Sequence, residues 1–289
     1  MNFKIEITKS KFFSSPFYNV YSNYGYGGIM KEIEKYLKTR IGKYSFFFED
    51  LRGGFTYGYN ENEEMIAAGC IKLPIAMSLI KAEEDKKVSF LEKISIEKKD
   101  KVYGTGIIHE FGERQYTIFE LLVVMLIQSD NTAANKLIEI LGMDNINRDI
   151  KSMELSNTVL NRKTRDERLV YDGKKENITT AKDLTKMWSI LYNKNFLNDK
   201  NSTMLIDILT RQQIKNKLAL YIPDDSKYNI ASKSGDKDGI ENDTSLIHLD
   251  KGDFVFSVLS NNIPNSVYGT VTLAKCGKMM WDNILNNWN

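Results

Sequence analysis

The strand-like segments of this 289-residue chain gather mainly at its two ends, and most of the stretch between them carries the roughly 3.6-residue period of helices. Lys43 to Glu49 and Phe55 to Tyr59 are aromatic-rich and extended, with Arg52-Gly53-Gly54 between them as a hairpin turn. Residues 228–233, 242–249 and 253–260 read as three more strands, and their hairpin-length connections predict an antiparallel sheet. A helix over Gly28 to Ile41, with Ile29, Ile33, Tyr36 and Leu37 at helical spacing, precedes the first strands, and another over about 269–286 follows the last. Between them lie helices at roughly 69–84, 117–127, 131–142 and 179–194, with Asn131-Thr132 and Thr179-Thr180 as capping side chains at two of the starts. A sheet drawn from both chain ends forces the middle to leave it and return. The expected fold is therefore α/β, a single domain over 1–289. Its α/β part takes about 1–61 and 206–289, an antiparallel sheet flanked by N- and C-terminal helices, and an all-helical part over about 62–205 is inserted. A cleft at that junction is where a ligand is expected.

Composition removes several activities. The 40 basic and 38 acidic residues leave a formal net charge of +2, and runs such as Lys98-Lys99-Asp100-Lys101 alternate with acids, as solvated faces do. That is no nucleic-acid footprint. The longest apolar run, Leu121 to Ile127, is far short of the roughly 18 residues that suggest a membrane span. Cys70 and Cys276 make no disulfide framework, and His109 and His248 have no metal-ligand spacing around them. We expect no metal and no cofactor, with lysine and hydroxyl groups carrying any chemistry. The start, Met1-Asn2-Phe3-Lys4-Ile5-Glu6, lacks the profile of a secretory leader. That predicts a cytoplasmic protein, or an extracytoplasmic one if a leader has been removed, and a monomer in either case.

Three short segments stand out together. They are Ala67-Ala68-Gly69-Cys70-Ile71-Lys72-Leu73-Pro74-Ile75, then Gln128-Ser129-Asp130-Asn131-Thr132-Ala133-Ala134-Asn135, then Lys233-Ser234-Gly235-Asp236. A residue in the first turn of a helix has a free backbone N–H and the positive end of the helix dipole beneath it. A lysine three positions later lies on the same face and, desolvated beside other cations, can act as a base toward a hydroxyl.

Ser-x-x-Lys, Ser-Asp-Asn and Lys-Thr-Gly are the signature of the class A β-lactamases and penicillin-binding proteins. The chain resembles that superfamily from about Tyr44 to the C-terminal helix, by the order and spacing of these segments and by Leu-Pro-Ile and Asn-Thr-Ala-Ala-Asn beside them. The resemblance implies a β-lactamase-like fold and acyl transfer on a β-lactam or acyl-peptide ligand. It implies catalytic roles for position 69 and for Lys72 as base, with Ser129 relaying a proton. It also implies substrate contacts from Asn131, Lys233, Ser234, Gly235 and Asp236, and an oxyanion hole from the N–H groups of 69 and 236.

The sequence departs from the pattern at the nucleophile, because Gly69 stands three residues before Lys72 where the superfamily has serine. Cys70 is no substitute, since about 100° per residue turns it to the face opposite Lys72, and it reads as a small packing residue. Two literal Ser-x-x-Lys matches, at Ser78 and Ser95, fall in mid-helix and in an extended stretch, contexts that lack the needed geometry. A second departure concerns deacylation. The superfamily's glutamate position falls on Arg165, with Asp166 and Glu167 out of register. The reading is thus a serine-hydrolase lineage lacking its nucleophile, inactive or inactivated. The alternatives are a non-catalytic ligand-binding protein and a glutaminase-like amidohydrolase. Restoring serine at 69 should give an acyl-enzyme that turns over slowly.

Overall fold

The computed structural model describes residues 19–164, 176–223 and 229–288. Helix α1 (Asn19–Lys38) leads into strands β1 (Lys43–Asp50) and β2 (Thr56–Tyr59). The chain returns as β7 (Asn229–Lys237), β8 (Ile240–Leu249), β9 (Gly252–Asn261) and α8 (Ser266–Asn287). These five strands form one antiparallel sheet in the order β2-β1-β9-β8-β7, so the sheet does draw on both chain ends. The middle holds β3 (Met65–Ile66), α2 (Lys72–Glu84), β4 (Lys93–Ile96), β5 (Arg114–Thr117), α3 (Ile118–Ile127) and α4 (Asn131–Leu141). It continues with α5 (Met143–Ser152), β6 (Ile178–Thr179), α6 (Ala181–Asn193) and α7 (Asp199–Thr210). Two short ladders, β3 with β6 and β4 with β5, pin this helical part.

The two faces of the sheet bury different partners, as strand alternation requires. Phe46, Phe48, Ile247, Phe254, Phe256 and Val258 form one core with Met30, Ile33 and Leu37 of α1 and with Met280, Trp281 and Ile284 of α8. Leu246, Val255 and Leu259 join the other core with the helical body. Cross-strand register keeps partners on one face: Phe48 opposes Phe256, and Val255 opposes Leu246. Helix α6 lies on the helical side through a buried polar seam. There Trp188 Nε1 donates to Thr244 Oγ1 at 2.8 Å, and the Ser257 hydroxyl bonds both Thr185 at 2.8 Å and Thr244 at 2.7 Å.

Several boundaries differ from the sequence expectation. The first helix ends at Lys38 rather than Ile41, where the Thr39 hydroxyl turns back to the Tyr36 carbonyl at 2.7 Å. Helices α5 and α7 were not foreseen. The segment read as one helix from 69 begins as a 3-10 turn, Ala68–Ile71, and becomes α-helical at Lys72. Ala68 has φ +46°, so the chain enters this turn through a left-handed residue. The cap of α4 is Asp130 rather than Asn131-Thr132, while Thr180 caps α6 as expected.

Asp130 matters beyond its cap. Its buried carboxylate accepts from Ala133 N at 2.8 Å, Ile107 N at 2.6 Å and Ile108 N at 2.8 Å, so one side chain joins the start of α4 to the loop on the cleft's rim. Asp130→Ala strands three backbone donors. It is expected to lower stability by on the order of 3 kcal/mol, read as a shift in the urea midpoint at unchanged m-value.

Candidate active site

Strand β7 runs beside the 3-10 turn at 68–71, and the start of α4 approaches the same point. The side chains gathered there come from the three motif segments. Lys72, first residue of α2, is 1% exposed, and Lys233 on β7 is fully buried. Lys72 Nζ donates to Asn131 Oδ1 at 2.8 Å, to Ser129 Oγ at 3.2 Å and, closer still, to the Ser129 carbonyl. Lys233 Nζ donates to the same Ser129 Oγ at 3.0 Å and to the Ser234 carbonyl at 2.8 Å. One hydroxyl is therefore shared by two buried amines.

Burial is the main reason both amines lose basicity, because a desolvated ammonium has no water to stabilise it. Lys72 falls to about 7, with the Lys233 charge adding to the burial, and Lys233 falls to about 8. Both amines are thus far easier to deprotonate than a solvated lysine, and Lys72 feels the Lys233 charge in addition to its burial. Ser129 connects α3 to α4 at φ +54°, a left-handed conformation that the surrounding contacts must hold in place for a non-glycine residue.

A cleft of about 220 Å³ opens over these groups, and Gly69, Lys72, Ser129, Asn131 and Asp236 line it. The Ser234 hydroxyl is buried with no partner among the described residues. Gly69 faces β7 at very close range. A Cβ built on Gly69 would fall 2.8 Å from the Ser234 carbonyl oxygen, 3.1 Å from Gly235 Cα and 3.2 Å from Ser129 Oγ. A Cβ on Gly235 would fall 2.5 Å from the Gly69 nitrogen. Cys70 turns the other way, into the core. Its Sγ lies 3.4 Å from the Lys233 carbonyl, and burial pushes its thiol up to about 12. Ser78 lies within α2 and Ser95 within β4; neither lines the cleft, nor do His109 and His248.

Several contributors gave no sequence signal. Arg162 and Glu176 stand on the cleft wall opposite the lysines, with Arg162 Nη2 2.7 Å from Glu176 Oε2, and Lys237 at the end of β7 pairs with Glu176 Oε1. Burial alone would raise the Glu176 pKa, but the hydrogen bonds from Lys237 and Arg162 outweigh it and the net direction is down. Behind β7, buried Lys217 pairs with buried Glu241 at 2.6 Å and donates to the Gly235 carbonyl at 3.1 Å. Asn242 Nδ2 reaches the Ile66 carbonyl at 2.8 Å, tying β8 to the strand ahead of the turn. Arg165, Asp166 and Glu167, singled out for deacylation, lie outside the described residues.

Two outcomes test this geometry. A small alkylating reagent at neutral pH should modify native Cys70 far more slowly than the unfolded chain, since both burial and its raised pKa suppress the thiolate. Rapid labelling would place the thiol in the cleft instead. The second outcome concerns Lys72. From about pH 7 up to its ordinary value of 10.5, the unfolded chain holds a proton on Lys72 that the folded chain lacks. Stability relative to Lys72→Met should accordingly rise with pH through that window, as followed by Tm. A flat difference would mean Lys72 titrates normally.

Known proteins resemble this chain in sequence and in fold. The sequence profile of the β-lactamase enzyme family matches residues 28–284. β-Lactamase SME-1 of Serratia marcescens is 24% identical over 172 residues, 59% of this chain, and the match spans 58% of that protein's length. Among solved structures, a β-lactamase from Sphaerobacter thermophilus superposes with a TM-score of 0.82 at 23% identity, covering 91% of this chain and 98% of that one. A variant of PBP-A, solved as an acyl-enzyme complex with penicillin G, gives 0.81 at 21% identity over 90% of this chain and 97% of its own. At these identities the structural likeness is one of fold, and it is the α/β arrangement described above. No helix among the described residues is long and apolar enough to cross a membrane.

Proposed function

The chain belongs to the β-lactamase enzyme family, and from that premise we propose that its cleft binds a β-lactam or acyl-peptide-like ligand without using position 69 as a nucleophile. The observation that carries this reading is the contact at Gly69. No side-chain oxygen is present there, and the 2.8 Å approach of the Ser234 carbonyl to a would-be Cβ leaves no room for one unless β7 or the turn at 68–71 shifts. The glycine is fitted to its surroundings and is not a simple vacancy. Of the readings open from sequence, this favours the ligand-binding one.

The binding half rests on what survives. Lys233 and the free Ser234 hydroxyl suit a ligand carboxylate, and the backbone N–H groups of 69 and 236 suit a carbonyl oxygen. Asn131 and Asp236 line the cleft, while Lys233, Ser234 and Gly235 lie just behind its wall, Gly235 packed against the Gly69 nitrogen. The inserted helical part, taken as about 62–205, contributes Lys72, Ser129 and Asn131, and the sheet contributes β7. A hydrolytic water would need a base. Glu176 lines the cleft, but its ion pairs hold it ionised and occupied by two cations, which makes it a weak one.

Restoring serine at 69 is therefore less simple than the sequence implies, because its Cβ must displace β7 or the turn at 68–71 before any acylation. Overpacking of this kind typically destabilises by about 1–3 kcal/mol.

Steady-state hydrolysis of a chromogenic cephalosporin is expected to match the buffer blank. A loss of the nucleophile costs about a millionfold in turnover in a serine hydrolase. A penicillin should still raise the melting temperature in a concentration-dependent way, and Lys233→Ala should abolish the rise. Multiple turnover by the unaltered chain, or no thermal response at any concentration, would defeat the reading.

A further inference from the structure

Ser129 combines features that a proton relay does not need. Its hydroxyl lies in the cleft, 3.2 Å from the point where a side chain at 69 would begin. It accepts from Lys233 Nζ at 3.0 Å and stands 3.2 Å from Lys72 Nζ. Both amines reach the Ser129 hydroxyl, and their other bonds go to the Asn131 amide oxygen and to the Ser129 and Ser234 carbonyls, none of which can act as a nucleophile. The left-handed turn fixes where that oxygen points, and the adjacent Asp130, bonded to three backbone N–H groups, holds the turn rigid.

We propose that Ser129 is the nucleophile of this chain, with Lys72 as its base and Lys233 as the cation that steadies its oxygen. The proposal rests on the reading of the cleft as an acyl-ligand site. Lys72 as the free amine takes the Ser129 hydroxyl proton while Oγ bonds to the ligand's carbonyl carbon. When the tetrahedral species collapses, the ligand's C–N bond breaks and the proton on Lys72 passes to the leaving nitrogen. An amide or lactam is thereby exchanged for an ester on Ser129, and no further reactant enters. Burial lowers the basicity of both amines, and the Lys233 charge lowers that of Lys72 further, which favours a free amine at Lys72. Of the carboxylates that line the cleft among the described residues, Glu176 is tied up by Arg162 and Lys237, which makes it a poor activator of the water that would release the ester. The outcome is one acylation per chain, which agrees with an absence of steady-state turnover.

The test uses a small alkyl fluorophosphonate, which phosphonylates activated serines without needing β-lactam recognition: a P–O bond forms, the P–F bond breaks and fluoride leaves. Intact-mass analysis of the unaltered chain is expected to show one phosphonyl group, and peptide mapping to place it on Ser129. Ser129→Gly should take no label. Glycine adopts the left-handed turn freely, so that variant removes the oxygen while keeping the fold, as circular dichroism would verify. Lys72→Met should slow labelling by about 100-fold or more, the loss typical of a missing general base. No label on the folded, unaltered chain, or a label retained by Ser129→Gly, would overturn the proposal. The penicillin-induced thermal shift, measured alongside, separates the two claims. A shift without labelling removes Ser129 as nucleophile and keeps the ligand reading, whereas labelling without a shift does the reverse.

Discussion

Strand β7 passes the turn at 68–71 so closely that glycine faces glycine. A Cβ on Gly235 would lie 2.5 Å from the nitrogen of Gly69 and 2.8 Å from that of Cys70, and one on Gly69 would lie 2.8 Å from the Ser234 carbonyl. This backbone contact brings Lys233 against Ser129, and so against Lys72, because side chains on β7 are positioned by where the strand runs. It also buries Cys70 beneath the Lys233 carbonyl. Contacts behind the strand hold it there: Lys217 reaches the Gly235 carbonyl, and Asn242 on β8 reaches the Ile66 carbonyl just ahead of the turn.

Holding two amines in this corner is electrostatically unfavourable, and the rest of the site is organised around that cost. Desolvation of each ammonium is the leading influence on its basicity, and Lys233 adds its charge against Lys72. Asp243, buried on β8, shows the opposite side of the same balance: burial raises its carboxyl to about 6 although Lys217 and Lys233 pull it down. The Lys217–Glu241 pair completes a buried layer of charges behind β7. Such a layer is weak evidence for stability, since matched apolar residues often serve as well. Its effect is to fix where the charges point.

Much of the fold was readable because it rests on local patterns. Aromatic-rich extended runs placed β1 and β2, an alternating run marked β8, and the tight connections after Lys237 and Leu249 made the last strands antiparallel. Helix α5 escaped because its polar face dominates: only Met143, Ile146 and Ile150 are apolar in the ten residues from Met143 to Ser152. The start at 69 misled because the apolar run from Cys70 onward continues smoothly from a 3-10 turn into an α-helix, and hydrophobic period does not distinguish the two over one turn. Lys72, Ser129 and Lys233 were legible as motif residues. Arg162, Glu176, Lys237 and Lys217 were not, because each depends on a contact between segments remote in sequence, and a lone charge carries no period. The closeness of Gly69 to β7 was likewise invisible, as it is a property of two backbones.

That closeness alters what the missing serine means. If position 69 had merely lost an oxygen, the surrounding strand would be expected to leave the space a serine fills, and two buried amines would face an unused gap. Instead the Ser234 carbonyl occupies the neighbourhood of the absent Cβ, and the Ser129 hydroxyl sits 3.2 Å from the same point. Buried lysines are unfavourable relative to apolar side chains of similar volume, so a site with no polar task would be more stable with methionine at 72 and 233. Both amines nevertheless reach the Ser129 oxygen, the one cleft hydroxyl among the described residues that bonds to each of them. The proposed nucleophile thus sits one contact from position 69, at the start of α4, where the two lysines meet.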